Sequence, residues 1–182
     1  ETGPVANVHY MAGLGLMNCN KFREAITELE ASIEKAYDDT LAPSVPDIQT
    51  WKPKHLLANC HASVGNELEA IMLWDEVIAD CTDSVDPFHD YARFMSTLNR
   101  NKEAMEVLLK GLKVAGDTQK IWELGCGIVN KDPELAEMSL EWTGEAVKYH
   151  PESDVTNVRR GESLMKNGRF AEATDYFSCL SD

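Results

Sequence analysis

The side chains in this sequence that could do chemistry are few, and their spacing frames little of it. Cys60 and His61 are a thiol and an imidazole next to each other, but neighbours on a helix diverge by roughly a quarter turn and cannot form a nucleophile-base pair by themselves. Asp38 with Asp39, Asp80 with Asp83, and Asp86 with Asp90 are carboxylate pairs without the apolar surroundings that split two pKa values for acid-base work. They read as caps and solvated faces. His55 and His89 stand 34 residues apart and could reach one ion or one carboxylate if their elements were neighbours, yet two histidines make an incomplete metal set. No G-x-S-x-G, H-E-x-x-H, P-loop or dinucleotide fingerprint occurs. The expectation is a non-enzyme with no catalytic residue, no metal and no cofactor.

Charge and cysteine usage narrow the classes further. With 31 acids against 17 bases the formal charge is −14, which opposes phosphate backbones and anionic membranes. Hydrophobic residues make up 43%, enough for a continuous core, and no apolar run approaches the roughly 18 residues that a membrane span requires. A soluble chain that binds neither nucleic acid nor membrane is expected. Cys19, Cys60, Cys81, Cys126 and Cys179 are isolated, odd in number and without a C-x-x-C. That predicts free thiols, several filling the core, and a reducing, cytoplasmic setting. The start, Glu1-Thr2-Gly3, resembles the scar of a secretion vector and is set aside, so an excised fragment is expected.

The elements that would position these side chains repeat along the chain. Glu24-Ala25, Glu69-Ala70, Glu103-Ala104 and Glu172-Ala173 share one local frame. Twelve residues before each alanine stands another small residue, Gly13, Ala58, Ala92 or Gly161. Five before it stands Asn20, Gly65, Asn99 or Gly168, and four after it a bulky Leu29, Trp74, Leu108 or Phe177. The period is 34, since Ala70 to Ala104 is 34, Ala25 to Ala70 is 34 plus 11, and Ala104 to Ala173 is 69 and leaves room for one degenerate copy. Each unit reads as helix, tight turn, helix, with the Asn or Gly taking positive φ and the two small residues meeting where the paired helices cross. A unit this short cannot bury its own apolar face and must stack on neighbours.

On these residues the chain resembles the tetratricopeptide-repeat family. The likeness covers nearly all of the chain and is best in Gly161, Leu164, Gly168, Phe170, Ala173 and Phe177; the family's early tryptophan is replaced by His9, Lys54, Phe88 and Asn157. The resemblance implies an all-α, right-handed superhelix of about five hairpins, forming one repeat domain from residue 4 to 182. The units fall at about 4–38, 50–82, 86–115, 117–150 and 153–182, with a loop at 38–48 that holds Pro43 and Pro46. Expected helices are Val5–Cys19, Lys21–Tyr37, Thr50–Val64, Glu67–Cys81, Pro87–Leu98, Lys102–Ala115, Gln119–Val129, Asp132–Tyr149, Ser153–Asn167 and Phe170–Leu180, with Asp86-Pro87 as a cap and first-turn proline. In the fourth unit Gly125 or Gly127 is the small crossing residue, and Ser139 falls in the alanine place.

The family binds protein or peptide in a concave groove lined by first helices. The matching positions here are Asn7, Tyr10, Leu14 and Met17, then Lys52, His55 and Asn59, then Asp86, His89 and Arg93, then Gln119, Trp122 and Cys126. Tyr10, His55, Asn59, His89, Arg93 and Trp122 are the leading candidates for contact. His55 and His89 take one place in adjacent repeats. Co-chaperones of this fold grip a C-terminal carboxylate with a Lys and Asn clamp, but this chain has Tyr10, Leu14, Leu56, Asp86 and Asp90 there, which excludes that ligand. The run from His55 to Cys60, then Gly65 and Glu69-Ala70-Ile71, is also similar to repeat segments appended to glycosyltransferases. That similarity implies an accessory domain for substrate positioning or oligomerisation. No capping helix follows Leu180, so Tyr176, Phe177 and Leu180 are expected at an open end, with a homodimer as the simplest closed solution.

Overall fold

The computed structural model describes residues 5–38, 51–116 and 118–180; the expected loop at 38–48 lies outside the described backbone except for its first residue. The described residues form helices and short connections with no strand. In chain order the helices are α1 (Val5–Asn18), α2 (Phe22–Asp38), α3 (Lys52–Val64), α4 (Glu67–Asp80), α5 (Asp86–Thr97), α6 (Asn101–Ala115), α7 (Gln119–Lys131), α8 (Ala136–Tyr149), α9 (Asp154–Lys166) and α10 (Phe170–Leu180). These limits lie within two residues of the expected ones except at α8, which a 3-10 turn, Pro133–Leu135, precedes. Among the described residues no helix is long and apolar enough to cross a membrane.

Four of the five connections within hairpins are built alike. Asn20, Gly65, Asn99 and Gly168 have φ of 57°, 84°, 59° and 73°, the left-handed conformation that glycine takes freely and asparagine tolerates. Around each one a backbone bond spans five residues: Lys21 N–H to Leu16 O at 2.9 Å, Asn66 to His61 at 2.9 Å, Arg100 to Met95 at 3.0 Å and Arg169 to Leu164 at 2.9 Å. This satisfies a carbonyl at the end of the first helix and fixes where the second begins. The residue after the turn then explains three of the four recurring glutamates. Lys21, Arg100 and Arg169 reach forward three residues to Glu24, Glu103 and Glu172, and in the last two pairs the arginine hydrogen bond holds the carboxyl below its usual range.

The chain divides between Thr82 and Asp83 into two compact units. In the first unit, α1 pairs with α2, α3 packs on α2, and α4 pairs with α3. Gly13 lies so close to Leu29 that a methyl group there would sit 2.8 Å from Leu29 Cγ and Cδ2. Ala25, Leu29, Leu57 and Cys60 form the centre, and Ala58, Ala70 and Trp74 close the second hairpin. In the second unit α5 to α10 form three hairpins, and α7 packs against both α5 and α9. Ala92 and Ala104 are both 0% exposed, as small residues at a helix crossing should be. Asp86 does not cap α5: it is the first helical residue, and its own N–H donates to Ser84 Oγ at 3.2 Å.

The fourth hairpin, which carries no Glu-Ala pair, keeps the frame with one extra residue. Phe88, Tyr91, Ala92 and Met95 are buried on α5, and the positions 34 later, Trp122, Gly125, Cys126 and Val129, are buried on α7. On the second helices Ala104, Val107, Leu108 and Gly111 correspond instead to Ser139, Trp142, Thr143 and Ala146, 35 later and all buried. The added residue falls in the turn, where Asp132 Oδ1 accepts from Glu134 N–H at 2.9 Å and the 3-10 turn absorbs the offset. Ser139 therefore stands in the alanine place, with its hydroxyl 2.8 Å from Ser163 Oγ. Of the two candidate glycines, Gly125 faces Trp142, whereas Gly127 has nothing within 4 Å of a would-be Cβ.

Candidate protein-interaction face

On α5 and α7 one stripe is buried and a second, offset by about a third of a turn, stays at least partly exposed. In the first unit Tyr10 is half-buried and packs against the Ala25, Leu29, Leu57 and Cys60 cluster. That contact restrains the ring and leaves part of it exposed. On α3 the His55 imidazole lies 5.9 Å from the Trp51 ring at a tilted angle, and its Nε2 is 3.2 Å from Asn59 Nδ2 one turn on. His55 is buried, and Asn59 is half-exposed beside it.

In the second unit one carboxylate organises the face of α5. Asp90 Oδ1 lies 3.3 Å from His89 Nδ1 and accepts from Arg93 Nη2 at 3.5 Å. The Arg93 side chain is 63% exposed, so most of its guanidinium donors point to solvent. Lys120 on α7 pairs with Asp86 on α5, tying the same face of two successive first helices. Glu123 on α7 accepts from Gln119 at 2.7 Å and from Ser153, just before α9, at 2.7 Å. A polar seam thus runs across α5, α7 and the start of α9.

Trp122 does not join that seam. It is 7% exposed, its ring centroid is 4.6 Å from that of Trp142, and it stacks on Tyr149 at 5.4 Å. Cys126 is likewise fully buried. Counting 34 from His89 and Arg93 puts Glu123 and Gly127 on the open face instead. Trp122 and Cys126 came from a reading one residue out of register, and the 34-residue spacing from Asp86 to Lys120 was the signal that could have found the seam.

Nothing in this set is arranged as a reactive centre. Burial raises the Cys60 thiol to about 11 and the Cys126 thiol to about 12, the opposite of what activates a nucleophile. His61 lies 3.1 Å from Asn66 Nδ2 through its Nδ1. Among the described residues no group of three or more His, Cys, Asp or Glu could hold a metal ion. What the face offers is an imidazole, amides and an exposed guanidinium, groups that can satisfy peptide amides and carboxylates.

No family model and no curated protein matches the chain in sequence. Solved structures do match it in fold. The MamA 41-end structure from Desulfovibrio magneticus RS-1 superposes with a TM-score of 0.73 at 15% identity, covering 100% of this chain and 96% of that one. A putative kinesin light chain with nearly identical TPR-like repeats from Podosopora anserina gives 0.69 at 16% identity, covering 98% and 94%. A tetratricopeptide repeat protein from Parabacteroides merdae gives 0.75 at 12% identity, covering 98% of this chain and 66% of that chain. Together with the repeated turn and the crossing of small residues, these matches establish that the fold of this chain is the tetratricopeptide repeat.

Proposed function

We propose that the chain is a non-catalytic scaffolding module that binds a peptide or a protein domain on its first-helix face. The observation that carries this reading is the polar seam of α5 and α7, where Asp90 orients His89 and Arg93 and the Lys120–Asp86 pair joins the two helices. Side chains held in place before binding lose less rotamer entropy when a ligand arrives. Arg93 is the principal anchor, donating to a carboxylate or a backbone carbonyl, and His89 supplies a second polar contact. On the first unit the half-exposed Tyr10 and Asn59 are the corresponding candidates, with the buried His55 positioning Asn59 rather than meeting a ligand itself. Five free cysteines, three of them buried, support a reducing, cytoplasmic setting. The double variant His89→Ala, Arg93→Ala should lose partner proteins captured from a lysate while its circular dichroism stays native. Equal recovery by variant and parent would remove the face from consideration.

A further inference from the structure

We propose that the second unit carries a separate docking groove, between α6 and α8, for one short amphipathic helix of a partner protein with basic residues flanking its apolar anchors. The groove has a volume of about 700 Å³, and it lies on second helices rather than on the face of His89 and Arg93. Its walls have helical spacing. Lys102, Met105, Glu106 and Leu109 line one side, and Glu134, Glu137, Met138 and Glu141 the other, each set running i, i+3, i+4, i+7. Such a wall is about 10 Å long, which matches two turns of an incoming helix read at the same spacing.

The floor and rim state what that helix must look like. Met105 is buried at the base, while Leu109 and Met138 keep 44% and 37% of their surface exposed, apolar area that an aliphatic anchor would cover. Lys102 is held by Glu134 at 2.6 Å. Glu106, Glu137 and Glu141 have no ion pair among the described residues, so three carboxylates frame an apolar slot. Lysine or arginine on either side of leucine-like anchors complements both features. A nucleic acid would meet like charge there, and a second copy of this chain, itself at −14, would bring acids to acids.

Fluorescence anisotropy with a labelled peptide of leucine at helical spacing and lysine elsewhere tests the proposal, with a glutamate-for-lysine twin as the comparison. The intact chain should bind the lysine peptide at low ionic strength and leave the twin unbound. Glu106→Gln, Glu137→Gln, Glu141→Gln should weaken binding on the order of tenfold. A triple of equal charge change elsewhere, Glu30→Gln, Glu34→Gln, Glu152→Gln, should change it by less than about twofold. Leu109→Asn, which removes apolar area without adding charge, should also weaken binding, and His89→Ala, Arg93→Ala should not. All six glutamates lie at the surface, so folding is preserved in both triples. Absence of binding by the parent, equal binding of the twin, or equal loss in the two triples would overturn the proposal.

Discussion

Two glycines two residues apart on α7 should respond to alanine in opposite directions. At Gly125 a methyl group would lie 2.3 Å from Trp142 Cε2 and 2.4 Å from Cζ2 and Nε1. The indole cannot swing away cheaply. It is 5% exposed, its ring centroid is 4.6 Å from that of Trp122, and its Nε1 donates to Trp122 O at 3.1 Å. Overpacking costs about 1–3 kcal/mol, the displaced hydrogen bond about 1 kcal/mol, and the better helix propensity of alanine returns about 1 kcal/mol. Gly125→Ala should therefore destabilise by about 1–3 kcal/mol. Gly127→Ala meets nothing within 4 Å and keeps only the propensity gain, so it should stabilise by about 0.5–1 kcal/mol. Urea unfolding followed by circular dichroism reads the difference as midpoints about 1 M apart, on a slope of roughly 2 kcal/mol per M. Shifts of the same sign in the two variants would refute the position of Trp142 and with it the register of the fourth hairpin.

The remaining expectations concern the repeat, the thiols and assembly. Ala104→Trp should lower the thermal midpoint sharply, since Ala92 and Ala104 are fully buried in the α5–α6 pair and overpacking costs about 1–3 kcal/mol or more; an unchanged midpoint would break that pairing. Cys60 and Cys126 are raised from 9.0 to about 11 and about 12 in the folded chain. Their contribution to stability is thus complete below about pH 9 and is lost as pH rises through 11 and 12, so Cys60→Ala, Cys126→Ala should flatten the alkaline fall measured by urea titration at successive pH. Homodimerisation through the last hairpin is proposed on the exposed Phe170 and Leu180. It predicts a monomer–dimer equilibrium in sedimentation that Leu180→Asp shifts to monomer, and a mass that stays monomeric at every concentration would refute it. Leu180 is the better probe because the Phe177 ring lies over Gly161, 1.9 Å from a would-be methyl group, and Phe177→Asp would open the hairpin itself.

Where the sequence was legible, each cue came from a residue type that only one local geometry favours. Asn20, Gly65, Asn99 and Gly168 were readable as turns because positive φ is cheap for them, and all four adopt it. The alanine pairs were readable because a helix crossing accepts little else. The fourth hairpin resisted for a physical reason. Its turn gains one residue and is closed by Asp132 and a 3-10 segment instead of a left-handed residue, so the usual markers are absent. The expected Trp122 lies instead in an aromatic stack with Trp142 and Tyr149, because its place on α7 is 34 residues after the buried Phe88 and not after His89. The ion pair of Lys120 with Asp86 and the Glu123 contacts were hidden because surface lysine and glutamate carry no conformational signature. Their spacing of 34 from Asp86 and His89 was the cue available.

The central claim, that the first-helix face of this chain holds a protein partner, is tested most directly by site-specific photo-crosslinking in cells of its source. A photoreactive residue in place of Thr97, exposed on α5 one turn after Arg93, should capture a discrete protein, and the same residue in place of Glu30, exposed on α2, should not. The product at position 97 should disappear when His89→Ala, Arg93→Ala is added. Crosslinks at position 30 alone, or a product at 97 that is indifferent to the loss of His89 and Arg93, would contradict the account.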